Sequence, residues 1–171
     1  MITFSSDSND ALSIKDQDSA RSLIKEYFNT AADPYQAQTH PGKDSWSSKN
    51  APELFNIIKS DGVVIGCVNM FPCSLELMER FCNNFITESE LLELIKSSRI
   101  SYDSVYMCVA VIKGPFRGKG LALKASISSL RKFMVRTNEK PVLFYWKFSE
   151  SGGQLAQKVS NTLGLVINKR E

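Results

Sequence analysis

Two apolar runs, residues 103–112 and 141–148, enclose a segment in which Leu123, Ile127, Leu130 and Met134 recur at helical spacing. Strand, helix, strand in that order is a crossover, so the two strands lie parallel in one sheet. Such a crossover is expected to be right-handed. Upstream, residues 53–72 hold two more apolar runs around Asp61-Gly62, a pair suited to a tight turn with positive φ. One chain therefore combines an antiparallel hairpin with parallel crossovers, which predicts an α/β fold with a mixed sheet.

The remaining segments fit around that frame. Residues 73–99 have helical spacing with a break at Asn83-Asn84. Thr87 followed by Glu90 is a capping-box pattern ahead of Leu91, Leu92, Leu94 and Ile95, so two helices are expected. Residues 11–15 alternate and read as a short strand. A helix follows, capped by Asp16 or Asp18, with Ala20, Leu23, Ile24, Tyr27 and Phe28 on one face. Residues 1–10 supply an extra strand or a loose arm. Residues 31–52 are polar and rich in Pro, Gly and Ser, and read as a loop with one helical turn. Loops that long are often functional, and this one carries His40 and Trp46. A final helix starts near Ser151, and residues 164–170 give a last strand. The order is an N-terminal β-α unit, a β-hairpin, two helices and a β-α-β-α-β C-terminal part. With 171 residues, one domain spanning 1–171 is the expectation.

Composition narrows the function. A net charge of +3 is mild and the cations form no long basic run, so nucleic acid is not an expected partner. There are four cysteines and a single histidine. No two cysteines form a C-x-x-C pair, so no metal site is expected. Cys67 and Cys108 lie in strand-like runs and read as buried free thiols. Reduced cysteines and the lack of a signal-peptide pattern point to the cytoplasm. No apolar stretch reaches the ~20 residues that span a bilayer, so no membrane association is expected.

The handover from strand to helix is the stretch with chemistry in it. After Ile112 the chain reads Lys113-Gly114-Pro115-Phe116-Arg117-Gly118-Lys119-Gly120 and then becomes helical. A helix start has unpaired N–H groups and the positive end of its dipole, so it attracts anions. Glycines at 118 and 120 remove the Cβ atoms that keep a phosphate away. Arg117 and Lys119 add charge. A P-loop does not fit: Gly114 stands one residue too close to Gly118-Lys119, and Gly120 replaces the hydroxyl residue. A dinucleotide fingerprint does not fit either, because the alanine comes one position early.

Residues 117–122, Arg-Gly-Lys-Gly-Leu-Ala, match Gln/Arg-x-x-Gly-x-Gly/Ala at every defined position, between a strand and a helix. In this the sequence resembles the GNAT N-acetyltransferase superfamily. The element order agrees over most of the chain, and Ala156, Val159, Leu163, Gly164 and Leu165 partly match the family's closing pattern. The helical insert at 73–99 looks like that of a subset of bacterial members. The resemblance implies an acetyl-CoA-dependent N-acetyltransferase, in which an amine attacks the thioester directly. It also implies that N–H groups of Arg117, Gly118, Lys119, Gly120, Leu121 and Ala122 hold the CoA pyrophosphate. The strand end at Ala110, Val111 and Ile112 pairs with the pantetheine arm, and Ser151, Gly153 and Ala156 line its other side. Homodimers are common among such proteins.

The departures bear on mechanism. The family's tyrosine acid falls at Ser160, and its strand glutamate base falls at Tyr106, whose phenol has an ordinary pKa near ~10. Those two are the catalytic candidates. His40 and Trp46 are the candidates for the acceptor pocket, and the acceptor itself is an unidentified amine of a small molecule or protein. Loss of the family's acid and base leaves a second possibility open, an acyl-CoA-binding sensor with weak or no turnover.

Overall fold

Asp61 and Gly62 both adopt positive φ, +48° and +82°, and their tight turn sets the register of an antiparallel strand pair. In the computed structural model, which describes residues 1–28 and 42–171, that pair is β2 (Phe55–Ser60) and β3 (Val63–Cys73). Around it the described residues build one six-stranded sheet in the order β1-β2-β3-β4-β5-β6. The others are β1 (Ile2–Phe4), β4 (Ser104–Ile112), β5 (Val142–Trp146) and β6 (Ile167–Arg170). Pairing is antiparallel from β1 to β4 and parallel from β4 to β6. The mixed α/β sheet expected from the sequence is present.

Strand alternation sorts the core into two faces. On one face, Ile65, Val68, Met70, Val105, Ile112 and Leu143 pack under α5 (Leu121–Thr137) and α6 (Glu150–Leu163), with Leu130, Phe133 and Val159 fully buried. On the other face, α1 (Ile14–Phe28) covers Ile57, Val64, Cys67 and Val111. The insert, α3 (Leu75–Cys82) and α4 (Glu88–Ser97), covers Phe71, Cys73, Tyr106 and Phe144 on that same face. The helix break falls at Asn84, whose φ is +63°. The Thr87–Glu90 capping box forms in full. A short α2 (Trp46–Asn50) begins at Ser45, which caps it.

One expected strand is absent. Residues 11–15 are not extended; α1 begins at Ile14 instead. Ser13 is the residue that caps it, its hydroxyl accepting from the Asp16 N–H at 3.1 Å. Asp16 and Asp18, the expected caps, pair instead with Lys59 and Arg21, each at 2.5 Å. The first strand comes from residues 1–10, followed by a short 3-10 turn.

Asn56 ties the sheet to α5. It is fully buried, and its amide nitrogen donates to Ser6 Oγ at 2.8 Å, to the Ala125 carbonyl at 3.2 Å and to Ser129 Oγ at 3.2 Å. Its amide oxygen accepts from Ser5 Oγ and the Ser6 N–H. Removing it strands several buried polar groups at once. Asn56→Ala is expected to lower unfolding free energy by about 1–3 kcal/mol, read as a lower urea midpoint with an unchanged slope.

Candidate functional site

β4 and β5 pair through only three register positions, Ser104↔Val142, Val105↔Leu143 and Tyr106↔Phe144. Past that point they part. β4 stays paired to β3 as far as Gly66↔Ile112, so from Met107 onward its other edge has no β5 partner. The register between β3 and β4 slips at the same place: Met70 faces Met107 and Asn69 faces Val109, which leaves Cys108 as the extra residue of a bulge. A bulge bends a strand and increases its twist. It also breaks alternation, so Cys108 and Val109 both lie on the α1/α3/α4 face. Met107, Cys108, Val109 and Ala110 are partly exposed although β4 lies at the middle of the sheet. The structure thus opens a slot beside its own central strand.

The glycine loop stands at the upper end of that slot. Gly118 has φ +75° and Gly120 has φ +71°, and a Cβ built on either meets nothing within 4 Å. Both are left-handed, a conformation glycine adopts without steric cost. Gly120 is the N-cap of α5 and brings no capping side chain, so the first-turn N–H groups face open space. The loop therefore fits an anionic group: it offers backbone donors, room and a helix dipole. Arg117 does more than add charge. Its Nε donates to the Ile112 carbonyl at 2.9 Å, and its guanidinium lies 4.7 Å from the centre of the Tyr27 ring. Lys119 lies over the Phe116 ring at 5.3 Å.

On the far face a carboxylate meets the point where the strands part. Glu88, in the first turn of α4, is buried and accepts from Tyr106 Oη at 2.6 Å. Cys108 Sγ donates to the same oxygen at 3.6 Å. The Tyr106 ring lies between Phe81 and Phe144, with centroids at 5.1 and 5.0 Å. Burial first, and then the charge of Glu88, hold the Tyr106 phenol and the Cys108 thiol well above their ordinary values. Burial also pushes the Cys67 and Cys73 thiols up to about 12. These thiols are protonated at neutral pH.

The expected site residues fall into groups. Ala110, Val111 and Ile112 lie on the open stretch of β4, with the last two side chains buried and only backbone edge to offer. Arg117, Gly118, Lys119, Gly120, Leu121 and Ala122 form the loop and the start of α5. Ser151 is exposed in the first turn of α6. Gly153 is half-buried, and a Cβ there would stand 3.7 Å from the Tyr145 ring. Ala156 is 2% exposed and belongs to the core. Ser160 is also buried, and its hydroxyl donates to the Leu165 carbonyl at 2.6 Å, closing the end of α6. Tyr106 holds a proton too tightly to be a base. Trp46 stacks on Phe71 with centroids 6.1 Å apart, on the face covered by the insert. His40 lies outside the described residues.

No protein-family model matches the chain, and no curated protein matches it in sequence. Solved structures do match. A ribosomal-protein-alanine N-acetyltransferase from Brucella melitensis biovar Abortus 2308 aligns with a TM-score of 0.50 at 16% identity, covering 92% of this chain and 89% of that one. An N-acetyltransferase from Staphylococcus aureus Mu50 aligns with a TM-score of 0.43 at 14% identity, covering 96% of this chain and 89% of its own. The first of these establishes the architecture: the chain has the GNAT N-acetyltransferase fold.

Sequence reasoning did not single out Glu88 or Asn69, and it read Cys108 as a buried thiol, whereas Cys108 is partly exposed. Glu88 was hidden by its neighbour: the capping box draws attention to Glu90, while Glu88 turns toward the sheet. The signal for Asn69 was a lone amide inside an otherwise apolar strand.

The Tyr106 placement has a pH signature. Its folded pKa is raised above the ordinary 10.0, so the folded state binds the phenolic proton more tightly. That stability is complete below pH ~10 and is lost as pH climbs toward the folded value. Tyr106→Phe is expected to flatten the alkaline fall of the urea midpoint above pH ~10. Equal alkaline slopes in parent and variant contradict the buried phenol–carboxylate pair.

Proposed function

We propose that the protein transfers an acetyl group from acetyl-CoA to a primary amine. The observation that carries this reading is the parting of β4 from β5 directly below a left-handed glycine loop. Bound acetyl-CoA supplies an acyl group activated as a thioester. The N–H groups of residues 117–122 hold its pyrophosphate, and the unpaired edge of β4 from Met107 to Ile112 takes its arm as a sheet takes an added strand. Ser151 and Gly153, at the start of α6, stand on the far wall of the slot. N–H groups along that edge are fixed donors for a carbonyl oxygen, and positioned donors stabilise developing charge without reorganisation.

The amine arrives from the other face. Glu88 is the carboxylate there, and it takes the proton that an attacking ammonium must lose; the amine nitrogen bonds to the acyl carbon as the C–S bond breaks, and CoA leaves as a thiolate that takes a proton from solvent. Tyr106 and Cys108 act as positioning residues, each holding the same oxygen of Glu88 in place. Ser160 has no part in the step, because its hydroxyl is committed to Leu165. The Brucella neighbour is named for acetylating a ribosomal-protein alanine. It therefore favours an α-amino group as the kind of nitrogen to try first.

Two measurements test this reading. Calorimetric titration with acetyl-CoA is expected to show binding by the parent and at least tenfold weaker binding by Gly120→Glu, which puts a side chain and a negative charge into the cradle. A folded parent that binds neither acetyl-CoA nor CoA rules the reading out. Glu88→Gln is expected to keep acetyl-CoA affinity and lose about 10²–10⁴-fold in kcat. Unchanged turnover in that variant removes Glu88 from the mechanism and leaves the cofactor site standing.

A further inference from the structure

We infer that the acceptor is a primary ammonium carried beside an apolar group, and that Asn69 is a residue that takes its nitrogen. The inference rests on the acyl-transfer reading and adds the chemistry of the acceptor to it. Three rows of side chains cross the face shared by α1 and the insert. The upper row, Cys67 and Val111, lies under α1. The lower row, Phe71, Tyr106 and Phe144, lies under α3 and α4. The middle row, Asn69 on β3, Cys108 and Val109 in the bulge and Trp146 on β5, is partly exposed throughout. It crosses the sheet where β4 and β5 separate.

Asn69 is the odd member of that row. Its Oδ1 is buried and accepts no hydrogen bond among the described residues. Buried polar atoms are rarely left so, and each such case asks for an explanation. Among the described residues, the Tyr106 hydroxyl and the Cys108 thiol on that face give their protons to Glu88. Arg170, the cation beside this row, donates to the Ile86 carbonyl and lies over the Phe81 and Trp146 rings. An amide oxygen with no donor among the described residues matches a group that only donates. A primary ammonium has three donors and no acceptor. The other walls are aromatic, with Trp46 stacked on Phe71 on one side and Trp146 beside the 56%-exposed Phe148 on the other. Such walls favour an apolar or aromatic group next to the nitrogen.

The ammonium has two possible sources, a free amine or the first residue of a peptide. The test measures binding by tryptophan fluorescence, with and without CoA. The probes are phenethylamine, ethanolamine, spermidine and tripeptides beginning with phenylalanine or glycine. The aromatic probe of at least one source is expected to bind about tenfold or more tightly than its polar counterpart. Phenethylamine alone marks a small-molecule acceptor; the phenylalanine peptide marks a chain terminus. Asn69→Asp keeps the accepting oxygen and is expected to retain that affinity, whereas Asn69→Leu loses about tenfold or more. Acetyl-CoA affinity is expected to stay the same in both variants. Equal binding of apolar and polar probes, or equal loss in Asp and Leu variants with parent-like circular dichroism, overturns the inference. Acetyl-CoA binding with no binding of any amine overturns it and spares the acyl-transfer reading. The expected amine pattern without acetyl-CoA binding does the reverse: the amine site stands and the transferase falls.

Discussion

The structure depends on a hydrogen-bond ladder that stops early. β4 and β5 are held together for three register positions and no further. A parallel pair that stops in mid-sheet leaves donors and acceptors on the central strand without strand partners, which a packed protein normally avoids. Here the termination is supported from both sides. The bulge at Cys108 bends β4, and β5 ends at Trp146 to feed α6. Everything of functional interest is placed relative to that fork: the glycine loop above it, α6 on one wall, and Glu88 and Asn69 on the opposite face.

The two faces of the sheet do different work. The α5/α6 face is a continuous core whose position is fixed by Asn56, so the loop that opens α5 has a rigid mount. The other face is divided between α1 and the α3–α4 insert, and the row between them is partly exposed. The insert has a role of its own in this arrangement. It delivers Glu88, a carboxylate that the strand position held by Tyr106 lacks. The strand supplies a phenol at that point, and the helix supplies the carboxylate that accepts from it.

Much of this was legible in the residues, for local reasons. The hairpin, the capping box, the amphipathic helix and the glycine loop are each specified within a few positions by turn chemistry or periodicity. The strand expected at residues 11–15 failed because a short alternating stretch is ambiguous, and Ser13 could start the helix a turn early. Glu88, Cys108 and Asn69 were harder for a different reason. Their importance comes from a slip of register between β3 and β4 and from a helix folding back over the sheet, both of which are long-range events. Tyr106 and Ser160 were found by counting along strand and helix. A count of that kind carries no information about the partners that hold their hydroxyls.

Arg117 ties the glycine loop to the Ile112 carbonyl, the last one on the open stretch of β4. The loop and the strand edge are therefore one stiff piece, braced further by the Tyr27 ring. For a ligand whose anionic end rests on the loop and whose arm lies along the strand, this makes the protein a gauge. The distance from cradle to fork is set by the backbone and does not adjust to what is bound. Under the proposed acyl transfer, selection among thioesters works first by reach: an arm of the right length brings its reactive end level with Glu88, and a shorter or longer one does not, whatever its other contacts.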